Sequence, residues 1–292
     1  MRLGAPVFGW SAAEEWAFSH VKKGFGAAYW PLGEGVPQEE GNAFVRAAQR
    51  HGLVIAEVGV WNNLLDRDPI RREENIQYAI RRLRTADRVG ARCCVNISGS
   101  CGSYWDGPHP DNLSEETFRQ VVSITRRIID EAAPKHTCYT LEPMPWMLPY
   151  DVETLQRLLT AVDRPRFAVH ADMCNLVNAF QKVYRTGEMT KAFFDAFGPL
   201  IRSVHAKDTI LREDRLTLHL DEAIPGQGLF DYDALLAACH SLGDVPVMAE
   251  HLDTEAKYDM ATGFLLKKAE ELGLPFEKPS EACFREPADS EN

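Results

Sequence analysis

Residues 138–172 open with Cys138-Tyr139-Thr140-Leu141-Glu142-Pro143, continue through a helical pattern over 151–160, and close with Phe167-Ala168-Val169-His170-Ala171-Asp172. Two short, mostly apolar runs flanking a segment of helical spacing read as strand, crossover helix, strand. Strands joined by so long a return run parallel, because a hairpin turn can only make an antiparallel pair. The same unit recurs along the chain. Candidate strands fall at 3–8, 25–30, 53–61, 92–98, 138–143, 167–172, 201–207 and 245–251. Helical segments follow at 12–22, 38–49, 70–89, 115–131, 151–160, 188–196, 232–241 and 254–272. Eight consecutive units predict an α/β fold, a single closed (β/α)8 barrel over residues 1–276.

The punctuation agrees. Ser114 before Glu115-Glu116 is a helix cap with acidic first-turn residues, and Pro134 closes that helix. Gly52, Gly90, Gly243 and Gly273 each follow a helical run, where a left-handed closing residue is favoured. Loops after the strands are long and chemically rich (99–112, 144–150, 173–187, 208–228), and those after the helices are short. In such a barrel the strand C-termini carry the site, so the rich loops lie on the expected face. Residues 277–292 are rich in Pro, Glu and Ser, and a poorly ordered tail is expected there instead of a second domain.

The 292 residues carry 32 Lys+Arg against 43 Asp+Glu, a net charge of -11 that repels a phosphate backbone and argues against a nucleic-acid partner. No apolar run approaches membrane-spanning length, and Met1-Arg2-Leu3-Gly4 leads into an acidic helix, so a cytoplasmic protein without membrane contact is expected. Cys93, Cys94, Cys101, Cys138, Cys174, Cys239 and Cys283 form no C-x-x-C pair and are odd in number. That argues against a disulfide framework and a structural zinc site, leaving most of them as small core residues.

Four consecutive candidate strands end on a charged or metal-capable residue where a purely structural strand would carry Val or Ile: Glu142, Asp172, His205 and Glu250. They stand 30, 33 and 45 residues apart, each about one unit of the barrel, so they come from neighbouring strands at one height and converge. Three carboxylates and an imidazole without a cation among them repel one another, and a divalent ion relieves this. The oxygen-rich donor set makes Mn2+ the expected cofactor, with Mg2+, Co2+ or Zn2+ as alternatives.

The order Glu, Asp, His within His205-Ala206-Lys207-Asp208, the Pro225-Gly226-Gln227-Gly228 loop before Phe230-Asp231-Tyr232, and Glu within Ala249-Glu250-His251 resembles the xylose-isomerase-like TIM barrel superfamily. Within it, the sugar phosphate isomerase/epimerase group is the most similar. The specific motifs lie between Glu142 and His251; the first half agrees in pattern alone. The resemblance implies one divalent ion held by Glu142, Asp172, His205 and Glu250, with Glu142 and Glu250 flanking a keto-sugar as the acid/base pair. The chain departs from the ketose 3-epimerases, which carry a second Glu where this chain has Leu148 and a His where it has Asn175. The inosose dehydratase branch shares the His-x-Lys-Asp motif.

A metal that chelates two adjacent sugar oxygens acidifies the intervening C–H by stabilising an enediolate. Epimerisation, aldose–ketose isomerisation and β-elimination share that intermediate. The leading expectation is an isomerase or epimerase of a keto-sugar; the alternative is a lyase on the same site, a keto-inositol dehydratase or an enzyme cleaving 3-keto-glycosides or C-glycosides. The endonuclease branch of the fold needs more histidines and a basic groove, and a non-catalytic barrel has no use for four intact ligands. Lys207 and His170 each lie two positions from a ligand and so on the same strand face. Lys207 is a candidate for a substrate oxygen or an ion pair, and His170 for substrate, for orienting a ligand, or for the core. Asp208 is expected to fix the following loop or to hold Lys207. Trp61, Trp105 and Trp146, with Trp30, Tyr104 and Tyr150, crowd the strand ends as faces for a sugar, and Asn96 offers a neutral hydrogen-bonding group. No glycine-rich phosphate cradle stands out, so an unphosphorylated substrate is expected. Barrels of this group are often dimers or tetramers, which makes a homo-oligomer an open expectation.

Overall fold

The computed structural model describes residues 1–279. Eight parallel strands close into a barrel: β1 (Arg2–Gly4), β2 (Ala27–Tyr29), β3 (Val54–Gly59), β4 (Cys93–Asn96), β5 (Cys138–Leu141), β6 (Phe167–Asp172), β7 (Ile201–Ala206) and β10 (Pro246–Ala249). The expected (β/α)8 barrel is therefore the fold. The helices are α1 (Ala13–Lys22), α2 (Gln38–Arg50), α3 (Pro69–Val89), α4 (Glu115–Ala132), α5 (Val152–Val162), α6 (Phe180–Val183), α7 (Thr186–Phe197), α8 (Tyr232–Ser241) and α9 (Glu255–Glu271). Two elements were not expected. The segment read as the loop 208–228 contains an antiparallel hairpin, β8 (Asp208–Leu211) with β9 (Leu220–Ala223), and a single turn, α6, interrupts the loop before α7. The expectation of a poorly ordered tail concerns mainly residues 280–292, which lie outside the described residues; Glu277 is tied down by its N–H bond to the Met1 carbonyl at 2.9 Å.

Local chemistry explains the helix ends. Ser114 accepts from the Thr117 N–H and starts α4, Asp151 and Thr154 form a reciprocal capping box on α5, and Gly90 closes α3 at φ 71°. Outward strand residues such as Val58, Leu141, Val169, Val204 and Val247 join Leu83, Ile128, Leu158, Phe193, Leu236 and Leu265 from the helices in one core. Inside the barrel a small apolar plug is made of Ala27, Ala56 and Met248. A Cβ on Gly4 would lie 2.5 Å from the Met248 sulfur, so only glycine fits beside it. Above the plug the interior turns polar. Register shifts at Ala28/Tyr29 between β2 and β3, and at Val169/His170 between β6 and β7, re-aim side chains into this layer. Among the described residues no helix is long and apolar enough to cross a membrane.

One buried histidine sits outside that layer. His20 on α1 bonds the Trp16 carbonyl through Nδ1 at 2.8 Å and packs edge-on against the Trp16 ring. Burial disfavours its cation, outweighing the Trp16 and Ala5 carbonyls, and brings its pKa down from 6.5 to about 4. The unfolded chain then binds a proton between those values that the folded chain refuses. Stability is fully present above pH 6.5 and falls as pH drops towards 4, by an amount on the order of 3 kcal/mol. Chemical denaturation of wild type and His20→Phe across pH 4 to 7 should show this part of the acid slope in wild type only; equal slopes would refute it.

Candidate metal centre

Strand alternation sets the site. In β7, Ser203 and His205 point inward two residues apart, and Lys207 follows on the same face; in β6, His170 and Asp172 do the same. Glu142 follows directly on β5 and Glu250 directly on β10, so all stand at the strand C-termini. The structure brings the four expected ligands together. One donor atom from each of Glu142, Asp172, His205 and Glu250 lies within 4.8 Å of all the others. His205 Nδ1 is 2.9 Å from Glu250 Oε2, 3.4 Å from Glu142 Oε2 and 3.7 Å from Asp172 Oδ2.

These four atoms are buried, and none has a hydrogen-bond partner. Three carboxylate oxygens and a ring nitrogen turned to one point without hydrogen bonds, the Lys207 ammonium beside them, form a donor set that a divalent cation satisfies. The other lone pairs are occupied: the Asn175 amide donates to Glu142 Oε1 at 2.8 Å, and the Asn175 N–H donates to Asp172 Oδ1 at 2.9 Å. Glu142 and Asp172 are thereby each held by one oxygen with the other turned inward.

A second group of metal-type residues lies beneath, and the sequence reading missed its key member. Glu57 on β3 receives His170 Nε2 on Oε1 and His205 Nε2 on Oε2, each at 3.1 Å, together with the Ser203 hydroxyl on Oε1. The signal was present, a lone acid within Ile55-Ala56-Glu57-Val58. It is the same kind of signal that singled out the four candidate ligands, but on a strand without a downstream motif.

Electrostatics separate the carboxylates. Burial opposes ionisation of Glu57, but His205 and His170 outweigh it and hold the group far below the usual range. Burial likewise opposes ionisation of Asp172, and Lys207 with His205 overrides it. Glu250 behaves the same way, kept ionised by His205 and Lys207. Glu142 is pushed upward by burial and by the Glu250 charge. His205 is favoured as a cation despite burial because of Glu250 and Glu57, so a metal bound at Nδ1 must displace a proton.

Lys207 is buried with its Nζ 2.7 Å from Asp172 Oδ2, 3.2 Å from Glu250 Oε2 and 3.6 Å from both Glu142 and Glu222. Glu222 comes from β9, and it also meets His251 Nδ1 at 3.2 Å. Asp208 fixes the loop beyond, accepting the N–H groups of Thr209, Gly226, Gly228 and Phe230 at 2.8 to 3.0 Å. A side chain on Gly228 would strike that carboxylate. His170 is fully buried against Glu57 and away from the mouth. Both ends of the Asn96 amide are engaged by Asn62, which starts the loop after Trp61. Trp61 and His251 adopt left-handed backbone (φ 53° and 57°), a strain that clusters at functional sites. The Trp61 ring lies 6.4 Å from the His205 ring, while Trp105 and Trp146 are partly exposed on the loops after β4 and β5.

Fold and site together define a barrel with a candidate divalent-metal centre at its C-terminal mouth. The chain belongs to the xylose isomerase-like TIM barrel family, whose model matches residues 11–268. No curated protein matches it. Among solved structures it is similar to a D-psicose 3-epimerase with D-tagatose from Clostridium cellulolyticum H10 (15% identity, 94% of this chain and 100% of that one, TM-score 0.67). It is also similar to a probable 3-DHS dehydratase from Bacillus anthracis (15%, 91% and 97%, TM-score 0.66). A third is a 3-keto-D-glucoside 4-epimerase from E. coli (15%, 92% and 99%, TM-score 0.65). Likeness at this identity shows the shared fold.

Proposed function

We propose that this protein is a divalent-metal-dependent isomerase or epimerase of an unphosphorylated keto-sugar, with Glu142, Asp172, His205 and Glu250 holding one ion, Mn2+ by its donor set. The observation that carries this reading is the meeting of four buried donor atoms, none in a hydrogen bond, at the barrel mouth. A bound divalent ion there stabilises the negative charge that grows on the sugar oxygens as the neighbouring C–H is deprotonated.

Everything else falls to the protein's own side chains. Glu142 and Glu250 flank the substrate as the acid/base pair, one removing the proton and the other returning it on the opposite face. Lys207 donates to a substrate oxygen, Trp61 covers the reacting face, and Trp105 and Trp146 offer further flat surfaces to the sugar. Asn96 acts through Asn62 on the loop that carries Trp61.

One observation favours elimination as a second reading. His251 stands beside Glu250, and its bond to Glu222 raises its proton affinity against the opposing effect of burial. A charged imidazole next to that glutamate can protonate a departing oxygen, which a lyase needs and an epimerase does not. Proton NMR in D2O with Mg2+- or Zn2+-loaded protein and a panel of ketoses, inososes and 3-keto-glucosides tests both. Deuterium is expected at a carbon next to the carbonyl, with loss of water or an aglycone only under elimination. No exchange with any member of the panel would overturn the proposal.

A further inference from the structure

The His205 ring is used on both edges. Nδ1 faces the converging carboxylates of Glu142, Asp172 and Glu250, while Nε2 lies 3.1 Å from Glu57 Oε2 in hydrogen-bond geometry. An ionised carboxylate only accepts, so that bond requires the proton on Nε2. A neutral ring protonated there presents its lone pair at Nδ1, towards the four-residue group.

We propose that Glu57 is the positioning residue of this metal centre: acting through His205, it keeps the ring proton on Nε2 and so aims the Nδ1 lone pair at the divalent ion. The inference rests on the metal reading given above and adds a residue that touches neither ion nor substrate. Imidazole ligands commonly depend on such a carboxylate behind them, which fixes ring orientation and tautomer together.

The surroundings of Glu57 are built to hold it still. Its side chain is 1% exposed, Oε2 is engaged by His205, and Oε1 accepts from both His170 Nε2 and the Ser203 hydroxyl. The register shift between β2 and β3, where Tyr29 pairs with Glu57 after Ala28 pairs with Ile55, turns the acid into the barrel. Glu57, His170 and His205 also lie close enough to be read as a second metal site. Their hydrogen bonds argue otherwise. Both Glu57 oxygens and both Nε2 atoms already satisfy one another in hydrogen bonds, whereas the converging atoms of the upper group make none and meet only the charge of Lys207 and one another. His205 cannot give Nε2 to an ion and its Nε2 proton to Glu57 at once.

Two measurements test this. In Zn2+-loaded wild type, proton–nitrogen correlation of the histidine rings should show one ring with a metal-shifted Nδ1 and a retained, hydrogen-bonded Nε2 proton. A His205 ring bound through Nε2, or protonated on Nδ1, would overturn the inference whether or not any variant folds. In Co2+ titrations followed by visible absorption, Glu57→Gln should bind about 10- to 100-fold more weakly with an altered spectrum, because an amide can donate to Nε2 and allow the opposite tautomer. Ser203→Ala removes one donor to Glu57 but leaves the His205 bond, and should stay close to wild type. Equal affinity in wild type and Glu57→Gln would remove the positioning role while leaving the metal centre standing. Failure of wild type to take up either ion would remove the metal centre itself, and this inference with it.

Discussion

Purified Asp172→Asn is expected to carry no tightly bound divalent ion and to lose at least about a thousandfold of the solvent-proton exchange shown by wild type, equivalent to roughly 4 kcal/mol of transition-state stabilisation. Asp172 is completely buried, with Oδ1 committed to the Asn175 N–H and Oδ2 at the point of convergence, 2.7 Å from Lys207 Nζ. Asparagine keeps the shape and the bond to Asn175, so the barrel should fold with an unchanged circular dichroism spectrum. What it removes is the charge, held in its ionised form by Lys207 and His205 against burial. Elemental analysis and D2O exchange on the two proteins settle it. Full metal occupancy in the variant would mean that the ion sits elsewhere, with Glu57, His170 and His205 as the first place to look.

That outcome bears on how much of the molecule its sequence discloses. The eight units were readable because each strand is an apolar run followed by a helical pattern, and α3, α4, α5, α8 and α9 start on a side-chain cap, whose chemistry is local. Strand ends were less readable. Residues 3–8 and 92–98 look like strands, yet hydrogen-bonded pairing covers only Arg2–Gly4 and Cys93–Asn96. Ala5, Ile97 and Ser98 beyond them stay buried in the barrel mouth, so burial continues where pairing has stopped.

The site divides in the same way. Glu142, Asp172, His205 and Glu250 were legible because a charge at the end of an apolar run has no structural excuse, and four at one height have a joint explanation. Glu57 carried a similar charge in mid-strand but had no neighbour in sequence to give it meaning; only the closing of β3 towards β6 and β7 brings it to His170 and His205. Glu222 was hidden for another reason. The hairpin that carries it runs through Arg212-Glu213-Asp214-Arg215, a charged stretch with no alternation to betray strands, and the partners of Glu222, His251 and Lys207, lie outside the hairpin.

Lys207→Met is expected to move two properties in opposite directions. In the ion-free protein the Lys207 ammonium is the positive charge that faces Glu142, Asp172 and Glu250 together with His205, while His251 stands beside Glu250 alone. Removing it leaves buried carboxylates uncompensated, a loss of about 3 to 5 kcal/mol and roughly 10 °C in melting temperature. The same ammonium, within 4 Å of three of the four ligands, also repels a divalent ion. Metal affinity should therefore rise in the variant, on the order of tenfold. Wild type at a hundred times its dissociation constant gains about 2.7 kcal/mol from the ion, and Lys207→Met at the same concentration should gain more, so added Mn2+ narrows the gap between the two melting curves. Turnover is not restored with stability, because the group that donates to the substrate oxygen is gone. If Lys207 served only the substrate, ion-free stability and metal affinity would both match wild type; melting with and without Mn2+ distinguishes the two directly.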